Sequence, residues 1–264
     1  MMIDSHCHLN FDNLAIEIEN LIRKAKNNNI TSILSINTDP DEFDNHYKLI
    51  KKFKSIFLSY GLHPQQVTES NIINSAKIIN KSSNDRVIAI GETGLDFFHS
   101  VKYKKKQYEV FESHIEASFE TDLPLIIHQR NSENEIMDVL SNFQKSKSLK
   151  VVFHCFTGSS KLRNFCLENG FYLSLSGIIT FKNAEELRSV IKNVPLSSVL
   201  IETDSPFLTP TPHRGKINEP SFVKHVAEYL SIFFKVPFEE FISITDNNFY
   251  KLFSKAIRYN EISI

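Results

Sequence analysis

Short apolar runs, rich in β-branched residues, recur along the whole chain and are separated by longer stretches of mixed polarity. Most of these runs are apolar on both faces, as the strands of a buried parallel sheet are. Eight of them are predicted to be strands, at residues 3–6, 32–36, 56–60, 87–90, 123–127, 151–153, 171–175 and 199–201. The pattern therefore predicts a sheet whose strands are distributed over the length of the chain.

The stretches between the runs have apolar residues at helical spacing. Within residues 14–26, Leu14, Ile18, Leu21 and Ala25 fall on one helical face, and charged side chains fall on the other. Comparable amphipathic helices are predicted at 105–119, 132–143, 161–169, 183–193 and 222–234. Because strands alternate with helices, the chain is predicted to consist of right-handed β-α-β units.

Eight β-α units in 264 residues match the size of a (β/α)8 barrel. An open, doubly wound sheet is the alternative, but nothing in the sequence resembles its glycine-rich dinucleotide-binding turn. The sequence also contains no low-complexity linker and no internal repeat. We therefore predict an α/β fold, a (β/α)8 TIM barrel of the metal-dependent hydrolase type, formed by one domain over residues 1–264.

Acidic and imidazole side chains lie where several of the apolar runs stop. They are His6, His8, Glu92, His128, His154 and Asp204. Histidine and carboxylate groups are common ligands of divalent metal ions. In a barrel, the C-terminal ends of the strands lie at one face, and this face carries the active site. The sequence therefore predicts a metal site at that face.

The spacing of His6 and His8 is informative because side chains two apart in a strand point the same way. Both imidazoles can therefore bind one ion, although they could also be polar residues at a strand-loop junction. The carboxylate of Glu92 can bridge two cations, or it can anchor its own turn. A single histidine at a strand end is more often structural, but His128 and His154 together with Glu92 fit a second metal position.

Asp204 ends the last apolar run, and an acid there can both bind a metal ion and accept a proton from water. Glu202 lies two residues earlier and should share its face. We expect Glu202 to hold the free N–H of a histidine ligand, which orients the ring.

Composition narrows the class of protein. The formal net charge is −1, which argues against binding to nucleic acid through a broad basic surface, but it does not exclude a metal-dependent nuclease. The three cysteines have no framework spacing and are expected to be free thiols. No signal-like or membrane-spanning stretch is found. We expect a cytoplasmic protein that is monomeric and has no protein partner.

Seven motifs around these residues follow one another along the chain. They are Asp4-Ser5-His6-Cys7-His8-Leu9, Gly61-Leu62-His63-Pro64, Gly91-Glu92-Thr93-Gly94-Leu95-Asp96, Pro124-Leu125-Ile126-Ile127-His128, His154-Cys155-Phe156-Thr157-Gly158, Glu202-Thr203-Asp204-Ser205-Pro206 and His213-Arg214-Gly215-Lys216. In this order, and over essentially the full length, the chain resembles the TatD-related metal-dependent deoxyribonucleases, a family of amidohydrolase-like barrels.

The resemblance implies an enzyme that cleaves DNA phosphodiester bonds, as a 3′–5′ exonuclease. It implies two divalent ions such as Zn²⁺, Mg²⁺ or Mn²⁺, with His6, His8 and Asp204 as ligands of one, His128 and His154 as ligands of the other, and Glu92 bridging both. Glu92 and Asp204 would be the catalytic residues. Asp204 would orient the attacking water and take its proton.

Three further side chains are candidates for contact with the substrate. His63 precedes a proline in the loop after the third strand, where fixing the loop is the alternative role. Arg130 lies two residues past His128 and could meet a phosphate, or it could form a surface ion pair. Arg214 lies after the eighth strand, where barrels often bind phosphate.

Two other functions remain open at this stage. Barrels with the same ligands also hydrolyse amides, lactones or other esters in small molecules, so the ligands alone do not select the substrate. A non-catalytic scaffold is the third hypothesis, but a scaffold would be expected to lose ligands, and this sequence retains the full set.

Overall fold

The computed structural model describes residues 1–98, 100–145 and 148–262. A strand forms at each of the eight apolar runs. The strands are β1 (Met2–Cys7), β2 (Ile30–Ser35), β3 (Ile56–Tyr60), β4 (Val87–Asp96), β5 (Leu125–Arg130), β6 (Val151–Phe153), β7 (Tyr172–Leu175) and β8 (Val199–Ile201). Every residue of β1, β3, β4, β6 and β8 is buried, because side chains on both faces of these strands are covered.

Helices separate the strands. They are α1 (Asp12–Ala15), α2 (Ile18–Asn27), α3 (Phe43–Ile50), α4 (Ser75–Ser82), α5 (Lys104–Thr121), α6 (Glu133–Gln144), α7 (Ser160–Glu168), α8 (Glu185–Ile191), α9 (Val223–Phe234), α10 (Phe238–Leu252) and α11 (Lys255–Ile262). Short 3₁₀ helices occur at Pro40–Glu42, Pro64–Gln66, Gly177–Thr180, Leu196–Ser198 and Pro220–Phe222. Side-chain caps begin two of the α-helices: Asn74 accepts a hydrogen bond from Lys77 N–H, and Ser159 accepts one from Leu162 N–H.

The strands form one parallel sheet whose spatial order follows the chain, from β1 to β8. A parallel bridge between Cys7 and Ser205 also links β1 to the segment that follows β8, as closure of a barrel requires. Strand-helix alternation in this order is the (β/α)8 topology. The predicted fold class is therefore confirmed. In the part of the chain that the structure describes, no helix is long and apolar enough to cross a bilayer.

The chain packs as two compact units. The first comprises Met1–Ser35, Lys48–Phe57 and His154–Lys251, and the second comprises Ile36–Tyr47, Leu58–Phe153 and the chain from Leu252 onward. The prediction of one domain over residues 1–264 stays a prediction. Each unit contains its own group of candidate ligands, and the two groups are described separately below.

Strands β4 and β5 extend further than the apolar runs predict. The run of β4 stops at Ile90, but the strand continues to Asp96, and β5 continues past Ile127 to Arg130. The two strands remain paired in this extension, where Gly94 lies opposite His128. Because ladder hydrogen bonds continue through polar residues, the change in polarity does not end either strand. Glu92 and His128 consequently lie inside strands.

Candidate metal centre

In the first unit, strand ends bring two histidines and a carboxylate together. Nε2 of His8 lies 3.2 Å from Oδ1 of Asp204, and Nε2 of His6 lies 3.6 Å from the same oxygen. All three residues are buried. Burial acts to raise the pKa of Asp204, but the hydrogen bond from His8 and the nearby His6 outweigh it and hold this pKa below its usual value. The carboxyl group is therefore ionised at neutral pH.

Backbone contacts hold Asp204 against β1. Its N–H donates to the carbonyl of His6 at 2.9 Å, and the N–H of His8 donates to the carbonyl of Ser205 at 2.8 Å. Asp204 has a φ of 55°, in the left-handed region, which aspartate and asparagine tolerate better than other residues with a Cβ. The turn after β8 thus points this carboxylate at the two imidazoles.

Asp4 supports the same turn from within β1. Its carboxyl oxygens accept hydrogen bonds from Thr203 N–H at 2.9 Å and from the Thr203 hydroxyl at 2.6 Å. Burial raises the pKa of Asp4 to about 8. Asp4 is not among the site residues predicted from the sequence. It lies two residues before His6, as His6 lies two residues before His8, and this spacing is the signal that could have identified it.

His154 joins the first group by stacking on His6. The ring centroids are 4.0 Å apart and the planes are 8° from parallel. Nδ1 of His154 lies 3.6 Å from Oε1 of Glu202, which also accepts a hydrogen bond from Cys155 N–H at 2.6 Å. Glu202 is fully buried and lies next to both His154 and the following amide. Its predicted role in orienting a histidine ligand stays a prediction. His6, His8, His154 and Asp204 are called the first cluster below.

In the second unit, β4, β5 and the loop after β3 bring together His63, Glu92 and His128, called the second cluster below. Oε1 of Glu92 lies 3.0 Å from Nδ1 of His128 and 3.2 Å from Nε2 of His63. The N–H of Glu92 donates to the carbonyl of Asn37 at 3.3 Å, which fixes this part of β4. The three side-chain atoms are close enough to bind a single ion.

Asp96 determines which nitrogen of His128 faces this cluster. Oδ2 of Asp96 lies 3.0 Å from Nε2 of His128 and accepts its proton in a hydrogen bond. The other nitrogen, Nδ1, then presents a lone pair to the carboxylate of Glu92. Two electron-rich atoms 3.0 Å apart repel each other unless a proton or a metal ion lies between them. A metal ion bound to both atoms, or a second proton on His128, would remove this repulsion.

His63 has the opposite arrangement of protons. Gln65 N–H donates to Nδ1 of His63 at 3.1 Å, so a neutral His63 carries its proton on Nε2. That N–H points to Glu92 and His128. His63 therefore serves as a hydrogen-bond donor in the second cluster, and the same Nδ1 contact fixes its loop.

We predict that Asp96→Asn weakens metal binding to the second cluster about 10–100-fold. Burial acts to raise the pKa of Asp96, but hydrogen bonds from His128 and Gln65 hold this pKa below its usual value, so the residue is an anion. An amide in its place removes the charge and can present its own N–H to His128, which would reverse the tautomer. Titration of the metal-free chain with Mn²⁺ measures the effect. Unchanged affinity would contradict the orienting role of Asp96.

A buried histidine outside the cluster holds the loop of His63. His114 in α5 accepts the N–H of Leu62 on Nε2 at 3.1 Å and faces the carbonyl of Val110 with Nδ1 at 2.7 Å. The bond from Leu62 requires the neutral ring with its proton on Nδ1, since a protonated Nε2 could not accept it. Burial lowers the pKa of His114 to about 4, so the ring is neutral at physiological pH. This role could not be predicted from the sequence, because a histidine inside an amphipathic helix has no distinctive pattern around it.

His114 should make stability depend on pH. The neutral ring is favoured in the folded chain, so its stabilising effect is complete above the unfolded pKa of 6.5 and is lost as pH falls towards 4. We expect the parent to lose about 2 kcal/mol between pH 7.5 and pH 5 relative to His114→Gln, from the difference in pKa. Urea unfolding of both chains at several pH values measures this. A difference between the two chains that does not change with pH would contradict it.

The two arginines proposed for substrate contact are stacked on aromatic rings. The guanidinium of Arg130 lies 3.7 Å from the ring centre of Phe98 in the second unit. In the first unit, Arg214 lies 3.7 Å from the ring centre of Phe181 and donates to the carbonyl of Thr209 at 2.9 Å. These contacts orient both side chains. The predicted contact of either arginine with a substrate stays a prediction.

The residues present fit divalent metal ions. Each cluster combines imidazole nitrogens with a carboxylate, and no cysteine takes part, which suits Zn²⁺, Mn²⁺ and related ions. All predicted ligands fall into one of the two clusters, as does His63. The predicted sharing of one ion by His128 and His154, and the predicted bridging by Glu92, stay predictions. A (β/α)8 fold that carries histidine-carboxylate groups at and near the C-terminal ends of its strands is typical of the class of metal-dependent hydrolases.

Comparisons identify the family. Residues 3–254 match the family model described as TatD related DNase. An uncharacterized metal-dependent hydrolase of Buchnera aphidicola, BU355, is 39% identical over 96% of this chain and 99% of its own length. The hydrolase YabD of Bacillus subtilis, also uncharacterized, is 37% identical, with the same coverage. The crystal structure of YjjV, a TatD homolog from Escherichia coli, superposes with a TM-score of 0.87 at 25% identity, over 96% of this chain and 98% of that one.

The chain belongs to the TatD-related DNase family. It is accordingly a metal-dependent hydrolase, as the sequence analysis predicts.

Proposed function

We propose that the protein is a deoxyribonuclease that hydrolyses the phosphodiester bonds of DNA from the 3′ end. The observation that carries this proposal is the contact between Nδ1 of His128 and Oε1 of Glu92, which a bound metal ion would stabilise, in a chain of the TatD-related DNase family. Divalent ions stabilise negative charge on phosphoryl oxygens and make water a better nucleophile.

One ion is proposed for each cluster. His6, His8 and Asp204 are the ligands in the first cluster, with His154 beside them, and Glu92 and His128 are the ligands in the second. Neutral histidine and ionised carboxylate are the ligating forms. Asp96 keeps His128 in the required tautomer, and the lowered pKa of Asp204 keeps its carboxylate charged.

Asp204 is proposed to be the proton acceptor. A general base must be ionised and must reach the water whose proton it takes. Oδ1 of Asp204 is held by His8, and its backbone is fixed by the carbonyl of His6, so the carboxylate has a defined direction. His63 is proposed to donate its Nε2–H to a phosphate oxygen, and Arg130 and Arg214 are proposed to meet phosphates of the strand.

The test is hydrolysis of labelled DNA. The metal-free chain is incubated with single- and double-stranded oligonucleotides, labelled at the 5′ or the 3′ end, in Mg²⁺, Mn²⁺, Zn²⁺ or EDTA. A 3′–5′ exonuclease releases the 3′ label as mononucleotide at once and shortens the 5′-labelled strand in single steps. Absence of cleavage with every ion, together with turnover of a small lactone, amide or ester, would refute the nuclease and favour the small-molecule hydrolase.

A further inference from the structure

A pair of histidines in the first unit lies outside both clusters. His213 belongs to the loop after β8, and His225 belongs to α9. Their Nε2 atoms are 3.0 Å apart. His213 is stacked on Phe222, with ring centroids 4.2 Å apart and planes 9° from parallel. The ring of His213 is therefore held in place from one side and directed at His225.

Glu228 determines the tautomer of His225. Its Oε2 lies 3.0 Å from Nδ1 of His225, three residues earlier on the same helix. Because a carboxylate only accepts hydrogen bonds, Nδ1 carries the proton, and Nε2 of a neutral His225 presents a lone pair to His213. This carboxylate-histidine arrangement is the one that commonly supports histidine ligands of metal ions.

The distance between the two ring centroids differs between a pair of histidines that binds one ion and a pair joined by a linear hydrogen bond. Two imidazoles at a right angle, each about 2.0 Å from one ion, have nitrogens about 2.9 Å apart and ring centroids about 4.5 Å apart. A head-on N–H···N hydrogen bond of about 3.0 Å would place the centroids about 5.3 Å apart. The observed centroid distance is 4.7 Å, with planes at 53°. The rings therefore converge on a point beside the line that joins their nitrogens.

We propose that His213 and His225 form a binding site for a divalent transition-metal ion, separate from the catalytic clusters. Nitrogens 3.0 Å apart suit adjacent ligand positions of tetragonal or octahedral ions such as Ni²⁺ or Cu²⁺ better than those of tetrahedral Zn²⁺. The side chain of His225 is 26% exposed, so water can supply the remaining ligands. The bound ion would connect the loop of Arg214 to α9.

The groups around His213 favour the neutral form of its ring, which is the form that binds a metal ion. Burial, the neighbouring His225 and Lys216 lower the pKa of His213, while Glu219 opposes them. The ring is therefore neutral at physiological pH, as metal binding requires.

The test counts bound Ni²⁺. The metal-free chain is dialysed against Ni²⁺, and the parent is compared with His213→Asn, His225→Gln and the double variant. Each variant is expected to bind one equivalent fewer than the parent. Ile232→Ala, at an exposed position of the same helix, is the matched control and should keep that equivalent. Glu228→Gln should keep it with about tenfold lower affinity, since the carboxylate only supports the ligand.

A second comparison separates this site from the catalytic clusters. The His6→Asn, His8→Asn double variant should lose Ni²⁺ from the first cluster and still keep the equivalent that depends on His213 and His225. If the His213, His225 double variant binds as many equivalents as the parent, with the same affinity, the two histidines share only a hydrogen bond and the proposal is wrong. That result would leave the test of DNA hydrolysis unaffected.

Discussion

Replacing Asp204 with asparagine is expected to lower DNA hydrolysis by about 10²–10⁴-fold, because the amide cannot accept the proton of the attacking water. The fold should be preserved. Asp204 has a φ of 55°, and asparagine is the residue that best tolerates this conformation after glycine. The amide can also keep a contact with His8. Rates of release of a 3′ label at saturating Mn²⁺, together with urea unfolding curves, measure both expectations.

Asp246→Asn is the matched control for this variant. Asp246 lies in α10 of the same unit, and burial raises its pKa to about 7. Its carboxyl is therefore partly neutral already, and an amide replaces it with little change. Hydrolysis by Asp246→Asn should equal that of the parent. Hydrolysis by Asp204→Asn within about threefold of the parent would show that Asp204 is not the proton acceptor, since positioned bases contribute far more.

Replacing Gly94 with alanine is expected to lower the free energy of unfolding by about 3–5 kcal/mol. Gly94 has a φ of 137°, which residues with a Cβ rarely adopt. A Cβ at this position would lie 2.1 Å from the carbonyl oxygen of His128 on β5. Relief of this clash requires the paired backbones to separate next to Asp96 and His128. Metal binding to the second cluster should therefore be lost together with stability.

Gly170→Ala is the matched control for Gly94→Ala. Gly170 also has a positive φ, of 69°, but nothing lies within 4 Å of the position of its added Cβ. Its replacement should lower the free energy of unfolding by only about 1–2 kcal/mol, because an alanine must adopt a left-handed conformation there. Urea unfolding of both variants gives the comparison. Equal losses would show that β4 and β5 adjust to the added methyl group, contrary to the prediction.

The fold could be predicted from the sequence because its strands are buried on both faces. Runs such as 87–90 and 151–153 are apolar and β-branched, and this signal does not depend on the surroundings. The ends of the strands could not be predicted as well. Residues 91–96 stay in β4 because they pair with β5, and pairing is a tertiary interaction that composition does not record.

The candidate ligands could be recognised in the sequence because acidic and imidazole side chains are unusual at the ends of apolar runs. The groups that contact them could not, with the exception of Glu202. Asp96 lies four residues after Glu92, on the same face of an extended strand, but the apolar run predicts that β4 ends before either residue. His114 holds the loop through one hydrogen bond from Leu62, which lies fifty-two residues earlier in the chain. No local sequence pattern predicts such a contact.

The spacing of residues along β1 makes the length of this strand critical. Asp4 accepts hydrogen bonds from Thr203, and His6 and His8 both contact Asp204, so three residues at two-residue spacing are matched to the turn after β8. Insertion of one residue between Asp4 and His6 would therefore separate the support of this turn from both imidazoles in one step. A change in the length of β1 is thus expected to be as damaging as the loss of a ligand, whereas insertions in surface loops carry no such penalty.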